Sequence, residues 1–163
     1  MTKLRKLTAL LLAGALTLLL LTACSGGGGS SGPEAQAEAE VMRAINKGRT
    51  MALANDDGMR TVANDRLDAL ELELKGDALG YKSFNKVVAK WDADNQNATL
   101  TLVAKYDYND TTLQKIIDQI KGNDQNEALD FALNGNYTKA GVVARTIRGQ
   151  TYVAISLRVG RNL

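Results

Sequence analysis

Eight consecutive residues, Ser25 to Gly32, carry nothing larger than a hydroxymethyl side chain. The run reads Ser-Gly-Gly-Gly-Gly-Ser-Ser-Gly. It offers no side chain to a core and keeps the backbone as free as a polypeptide can be. The chain is therefore divided, and a folded core must come from the residues after Gly32. That remainder is enough for one domain and little more. Pro33, the only proline, closes the run, and Glu34 to Glu40 mixes Glu with Ala and Gln in a helix-compatible lead-in.

The part before the glycines has its own pattern. Lys3, Arg5 and Lys6 make a basic start, and Leu7 to Leu21 is apolar apart from Thr8 and Thr17. That length suits a signal-peptide core and is short of the roughly 20 residues of a membrane-spanning helix. The run ends in Leu21-Thr22-Ala23-Cys24, which resembles the lipobox of bacterial lipoproteins. Small residues let the backbone enter a peptidase, and the thiol is the nucleophile that can carry a diacylglycerol. The resemblance implies cleavage between Ala23 and Cys24, lipidation of Cys24 and acylation of the new amino terminus. Several acyl chains, at about 0.8 kcal/mol per buried CH2, hold a protein on a bilayer durably. The expected organisation is a signal peptide over 1–23, a lipidated cysteine with a flexible tether over 24–40, and a globular domain over 41–163. The expected location is the extracytoplasmic side of a cell membrane.

Cleavage alters the charge balance. Of 20 Lys and Arg residues, three lie before Cys24, leaving 17 against 18 acidic residues. The precursor's net charge of +2 thus gives no ground for nucleic-acid affinity, and none is expected. With one cysteine no intramolecular disulfide can form. With no histidine, histidine zinc sites and every Ser-His or Cys-His catalytic pair are excluded.

Within the domain, Val41, Ile45, Gly48 and Ala52 recur at helical spacing and predict a helix over 40–54. Asn55-Asp56-Asp57-Gly58 breaks the pattern and can cap the next element. Met59, Ala63, Leu67, Leu70 and Leu74 predict a second helix ending near Gly76, with a charged outer face. Residues 83–91 fit two templates. Period two gives a strand, whereas Phe84, Val87, Val88 and Trp91 fit a helix and match more apolar positions, so a short helix is expected. Ala98 to Tyr106 alternates as a strand. Asp110 is positioned to cap a helix through Leu113, Ile116, Ile117 and Ile120, stopped at Gly122. Polar residues 123–136 allow a turn of helix at 127–133. Gly141–Ile147 and Thr151–Val159 predict a hairpin around Arg148-Gly149-Gln150. The expected class is α/β of the α+β kind, a small, mainly antiparallel sheet packed by helices.

Four stretches then resemble the CAP superfamily (cysteine-rich secretory, antigen 5 and pathogenesis-related-1 proteins). They are Ile45-Asn46-Lys47-Gly48-Arg49, Ser83-Phe84-Asn85-Lys86-Val87-Val88, the passage from Leu102 to Ile120, and Asn136-Tyr137-Thr138-Lys139-Ala140-Gly141-Val142 with Gln150-Thr151-Tyr152-Val153. The resemblance implies an α-β-α sandwich. Its metal cleft uses two histidines and two acids, and this chain has no histidine. The Gly-Glu-Asn and Ser-x-Gly-His motifs expected near 102–105 and 125–128 are also missing. The resemblance therefore implies a binding or structural scaffold with no inherited site residue, no metal and no cofactor.

Candidate residues outside that resemblance are few. Asp107 and Asp110, with Tyr106 and Tyr108, flank the strand-to-helix turn and suggest a small polar ligand or cation site; an exposed turn with an N-cap is the plainer alternative. A carboxylate-based hydrolase would have to combine Asp107 and Asp110 with Glu71 and Glu73. Asp92, Asp94 and Asn97 lack the glycine and late glutamate of a calcium loop. Arg145, Arg148, Arg158 and Arg161 surround the final hairpin as either a basic face or a solvated edge that resists aggregation. Tyr106, Tyr108, Tyr137 and Tyr152 are candidates for a sugar groove. The sequence leaves three readings: a membrane-anchored CAP-like module whose partner is a cell-envelope polymer or protein, a hydrolase, and an unrelated α+β interaction domain. The last predicts a β-hairpin over 83–106.

Overall fold

The computed structural model describes residues 32–75, 84–93, 96–107, 112–121 and 136–160, with the backbone alone for 84–90. The chain divides into two units, 1–31 and 32–163, and these residues belong to the second. Its elements are α1 (Pro33–Asn46), α2 (Asp57–Lys75), β1 (Phe84–Trp91), β2 (Asn97–Lys105), α3 (Thr112–Ile120), β3 (Tyr137–Ile147) and β4 (Gln150–Gly160). The expected α+β class is the observed one. The four described strands pair antiparallel, in the order β1-β2-β4-β3.

Alternation along the strands sends one set of side chains to each face, and helices cover both. Leu100, Leu102, Val142, Val153, Ile155 and Leu157 pack with Ile45 of α1 and Ile116 and Ile120 of α3. Val103, Val143, Ile147, Tyr152 and Ala154 pack under Ala63, Leu67 and Leu70 of α2. The expected stripe of α2 is buried from Met59 to Leu70, with Leu74 partly buried, and the apolar face of α3 is buried. Among the described residues no helix is long and apolar enough to cross a membrane.

Three expectations are corrected. Residues 84–91 form a strand, not a helix, and pair with β2 as a hairpin. Pairing from Ala98 to Ala104 gives partners to the backbone groups on the facing sides of both strands and covers the edge that β2 would otherwise present. The first helix runs over Pro33–Asn46 rather than 40–54. Pro33 sits in its first turn, where a missing N–H costs nothing. It ends because Gly48, at φ +85°, takes the left-handed conformation just past the cap. Residues 33–40, expected in the tether, therefore belong to the domain, with Ala37 only 1% exposed.

Asn46 then closes the loop between α1 and α2. Its Nδ2 donates to the Leu53 carbonyl at 2.9 Å, and its Oδ1 accepts the Leu53 N–H at 2.8 Å. Asp56 caps α2 as expected, with Oδ1 accepting the Met59 N–H at 3.0 Å. The first turn of α2 crosses β3 at Gly141, where a Cβ would overlap the backbone of Met59 and Arg60. The neighbouring positions across the sheet, Ser156 and Thr101, are also small and share a buried hydroxyl–hydroxyl bond of 3.0 Å. The β3–β4 turn is Arg148-Gly149, both at positive φ (52° and 80°), which matches the twist a two-residue hairpin requires.

β3 is an edge strand, and its outer side is covered. The Thr146 N–H donates to Glu34 at 2.6 Å, the Ala144 N–H to Glu38 at 3.1 Å and the Val142 N–H to Asn55 at 2.7 Å. The Val142 carbonyl accepts Asn55 Nδ2 and Arg60 Nη1, each at 3.0 Å. The Ala140 carbonyl accepts the Asp56 N–H at 2.9 Å. Arg60 also meets Glu38 at 2.6 Å, tying α2 to α1 around the sheet edge. These partners occupy the backbone groups that would otherwise template pairing with another chain.

Candidate functional site

Two of the four turn residues expected to form a site are described, and they come together in a groove between α1 and α3. Its volume is about 240 Å³, and its walls are Glu40, Val41 and Ala44 from α1, Tyr106 and Asp107 from the end of β2, and Leu113, Gln114 and Ile117 from α3. Tyr108 and Asp110 lie outside the described residues, as do Ala23 and Cys24.

The helical period builds this groove. Val41 and Ala44 face it one turn apart, and Leu113 and Ile117 do so from the other side. Tyr106 is delivered by the last alternation of β2, and its backbone N–H still bonds the Thr151 carbonyl at 2.8 Å. The floor is apolar and the rim is acidic. The Tyr106 hydroxyl donates to Glu40 Oε2, and Gln36 Nε2 donates to Glu40 Oε1 at 3.0 Å. These bonds to Tyr106 and then Gln36, with the field of Arg43, hold the Glu40 carboxyl below its ordinary value of 4.5 despite its partial desolvation. Glu40 thus stays ionised at neutral pH. Sequence reading misses this residue because it falls within the expected tether. The step of four from Gln36 to Glu40 and on to Ala44 is the signal that could have found it.

Other candidates fall elsewhere. Glu71 and Glu73 lie on α2, across the sheet from the groove; Glu73 is held by Arg66 at 2.8 Å and Glu71 by Lys75 at 3.0 Å. They do not join Asp107. The tyrosines do not share one groove, since Tyr137 packs in the α1–α3 layer and Tyr152 under α2. Burial raises the Tyr152 phenol above its usual value. Nor do the arginines form one free basic face: Arg145 is bound by Asp68 and Asn64 and Arg158 by Asp92, while Arg148 stands exposed in the β3–β4 turn. Arg161 lies outside the described residues. Among the described residues no group of three or more Cys, Asp or Glu is arranged to hold a metal ion.

Arg49 stacks over the Tyr137 ring, 4.6 Å from its centroid, at the opposite end of α1 from Glu34. Trp91, half exposed, ends β1. No protein-family model, curated protein or solved structure matches the chain.

Proposed function

We propose that this chain is a membrane-anchored extracytoplasmic lipoprotein whose α+β domain is an interaction module that receives a ligand in the α1–α3 groove. The observation that carries the anchoring is the ordered succession of basic start, apolar run, Leu21-Thr22-Ala23-Cys24 and glycine run. Support for the module is an ionised carboxylate held over an apolar floor by two neutral donors. Polar groups placed at one rim of a mainly apolar concavity are the usual makings of a binding site. The hairpin at 84–105 favours an α+β domain unrelated to the CAP superfamily, because one of the four stretches carrying that resemblance was expected to be helical. The β3–β4 hairpin keeps a degenerate CAP-like module as a second reading, since that resemblance expects a hairpin there. The separation of Glu71 and Glu73 from Asp107 counts against the hydrolase.

The anchor is tested by expressing the chain and a Cys24→Ala variant with radiolabelled palmitate in a bacterium. The wild type is expected to carry label and to sediment with membranes; the variant is expected to be unlabelled and to retain residues 1–23. A wild type that is unlabelled, or labelled equally in the variant, refutes the anchor.

A further inference from the structure

We infer that the α1–α3 groove binds a primary ammonium group on a short alkyl arm, the chemistry of a lysine side chain. The inference rests on reading this groove as the domain's ligand site, and it goes further by naming what enters.

The groove combines two features. Val41, Ala44, Leu113 and Ile117 give it apolar walls, while Glu40 and Asp107 set carboxylates at its rim. Its 240 Å³ corresponds to about eight water volumes, room for an arm of four to six carbons and its charged head. Glu40 is satisfied by the hydroxyl of Tyr106 and the amide of Gln36, both neutral. Its charge is therefore oriented but not cancelled, and among the described residues no lysine or arginine forms an ion pair with it. The other carboxylates near cations differ: Glu38, Glu71, Glu73, Asp56, Asp68 and Asp92 are each paired with a basic side chain.

This arrangement discriminates among ligands. An anion meets the ionised Glu40 carboxylate and is repelled. A neutral alcohol gains the walls but not the charge. A guanidinium binds best when both oxygens of one carboxylate are open to its planar fork. In Glu40 each oxygen already accepts one bond, so the compact, freely rotating donors of an ammonium fit better. The alkyl arm removes apolar wall from water while the head remains at the hydrated rim.

The test uses the full chain in nonionic detergent micelles, followed by two-dimensional amide and methyl NMR. Pentylammonium, pentanol and pentanoate are titrated separately. Pentylammonium is expected to shift Val41, Leu113 and Ile117 with a Kd in the millimolar range, at least fivefold tighter than pentanol, with pentanoate weakest. Glu40→Gln, which removes the charge and keeps the size and one accepting oxygen for the Tyr106 hydroxyl, is expected to erase that preference and leave the rest of the spectrum in place. A lysine derivative blocked at both ends, run alongside 1,5-diaminopentane, separates a polypeptide source from a free amine; tighter binding of either supports the inference and assigns the source. Equal binding of pentylammonium and pentanol overturns the ammonium inference and leaves the groove as an apolar site. Failure of every probe to shift groove resonances overturns both.

Discussion

The backbone N–H of Val142 donates to Asn55 Oδ1 at 2.7 Å, and Asn55 Nδ2 returns a bond of 3.0 Å to the carbonyl of the same residue. One side chain thus imitates a paired strand at a position that is wholly buried. Replacing it leaves a buried N–H without a partner, while the carbonyl keeps Arg60. Asn55→Ala is expected to destabilise the protein by about 2 kcal/mol, the usual penalty for a stranded buried donor. The midpoint of urea unfolding measures this. A loss below a few tenths of a kcal/mol would mean water or a shifted backbone replaces the side chain.

Gly141 sets the approach of α2 to the sheet. Adding one methyl forces Met59 and Arg60 outward or bends β3. Gly141→Ala is therefore expected to cost about 3 kcal/mol, at the upper end of overpacking penalties. Gly160, which has open space around its Cβ position, serves as the comparison: Gly160→Ala should change the thermal midpoint little. Equal effects of the two substitutions would contradict the close approach.

The β3–β4 turn holds Arg148 at φ +52°. A left-handed conformation costs most non-glycine residues about 1–2 kcal/mol, and asparagine bears it better through local hydrogen bonding. Arg148→Asn is expected to stabilise the protein by about 1 kcal/mol in denaturant titration. Unchanged or lowered stability would show that the arginine side chain contributes more than its backbone conformation costs.

Acid should weaken the fold through two carboxylates in particular. The Met59 N–H, then Lys139, hold the Asp56 carboxyl below its ordinary value of 3.8. Tyr106 and Gln36 do the same for Glu40 below 4.5. Each folded value is depressed, so the unfolded chain takes up protons first. The stabilisation is complete above the ordinary values and is lost as pH falls through the folded ones. In unfolding experiments between pH 5 and pH 2, Asp56→Asn and Glu40→Gln are expected to flatten the decline. A wild-type slope in either variant would remove that residue from the acid response.

Much of this architecture could be read from residue order. The step of α2 through Met59, Ala63, Leu67 and Leu70, the alternation of β2 and the hairpin of β3 and β4 each place apolar residues at one period only. Residues 84–91 mislead for a physical reason. A bulge between Val88 and Trp91 sets them opposite Leu100 and Ala98, which are only two apart. The extra residue breaks period two and produces the i, i+3 spacing of a helix. The start of α1 is obscured differently, because its stripe opens on Ala37, too small to signal burial alone. The groove shares both problems. Tyr106 and Asp107 are visible at a strand end, but Glu40 belongs to a segment that reads as tether, and only the packing of α1 beside α3 brings the three together.

Glu34 and Glu38 are one helical turn apart, about 6.0 Å along α1. Thr146 and Ala144, which they hold, are two residues apart, about 6.6 Å along β3. The two repeats nearly coincide, and they run in opposite directions. Any pull exerted through the residues before Pro33 would therefore load these two bonds in sequence, Glu34 before Glu38, with Arg60 bracing the second from α2. Mechanically, the chain is fastened to its domain partway along its last hairpin, more than a hundred residues away in sequence, so strain entering at the amino terminus is delivered directly to the edge of the sheet.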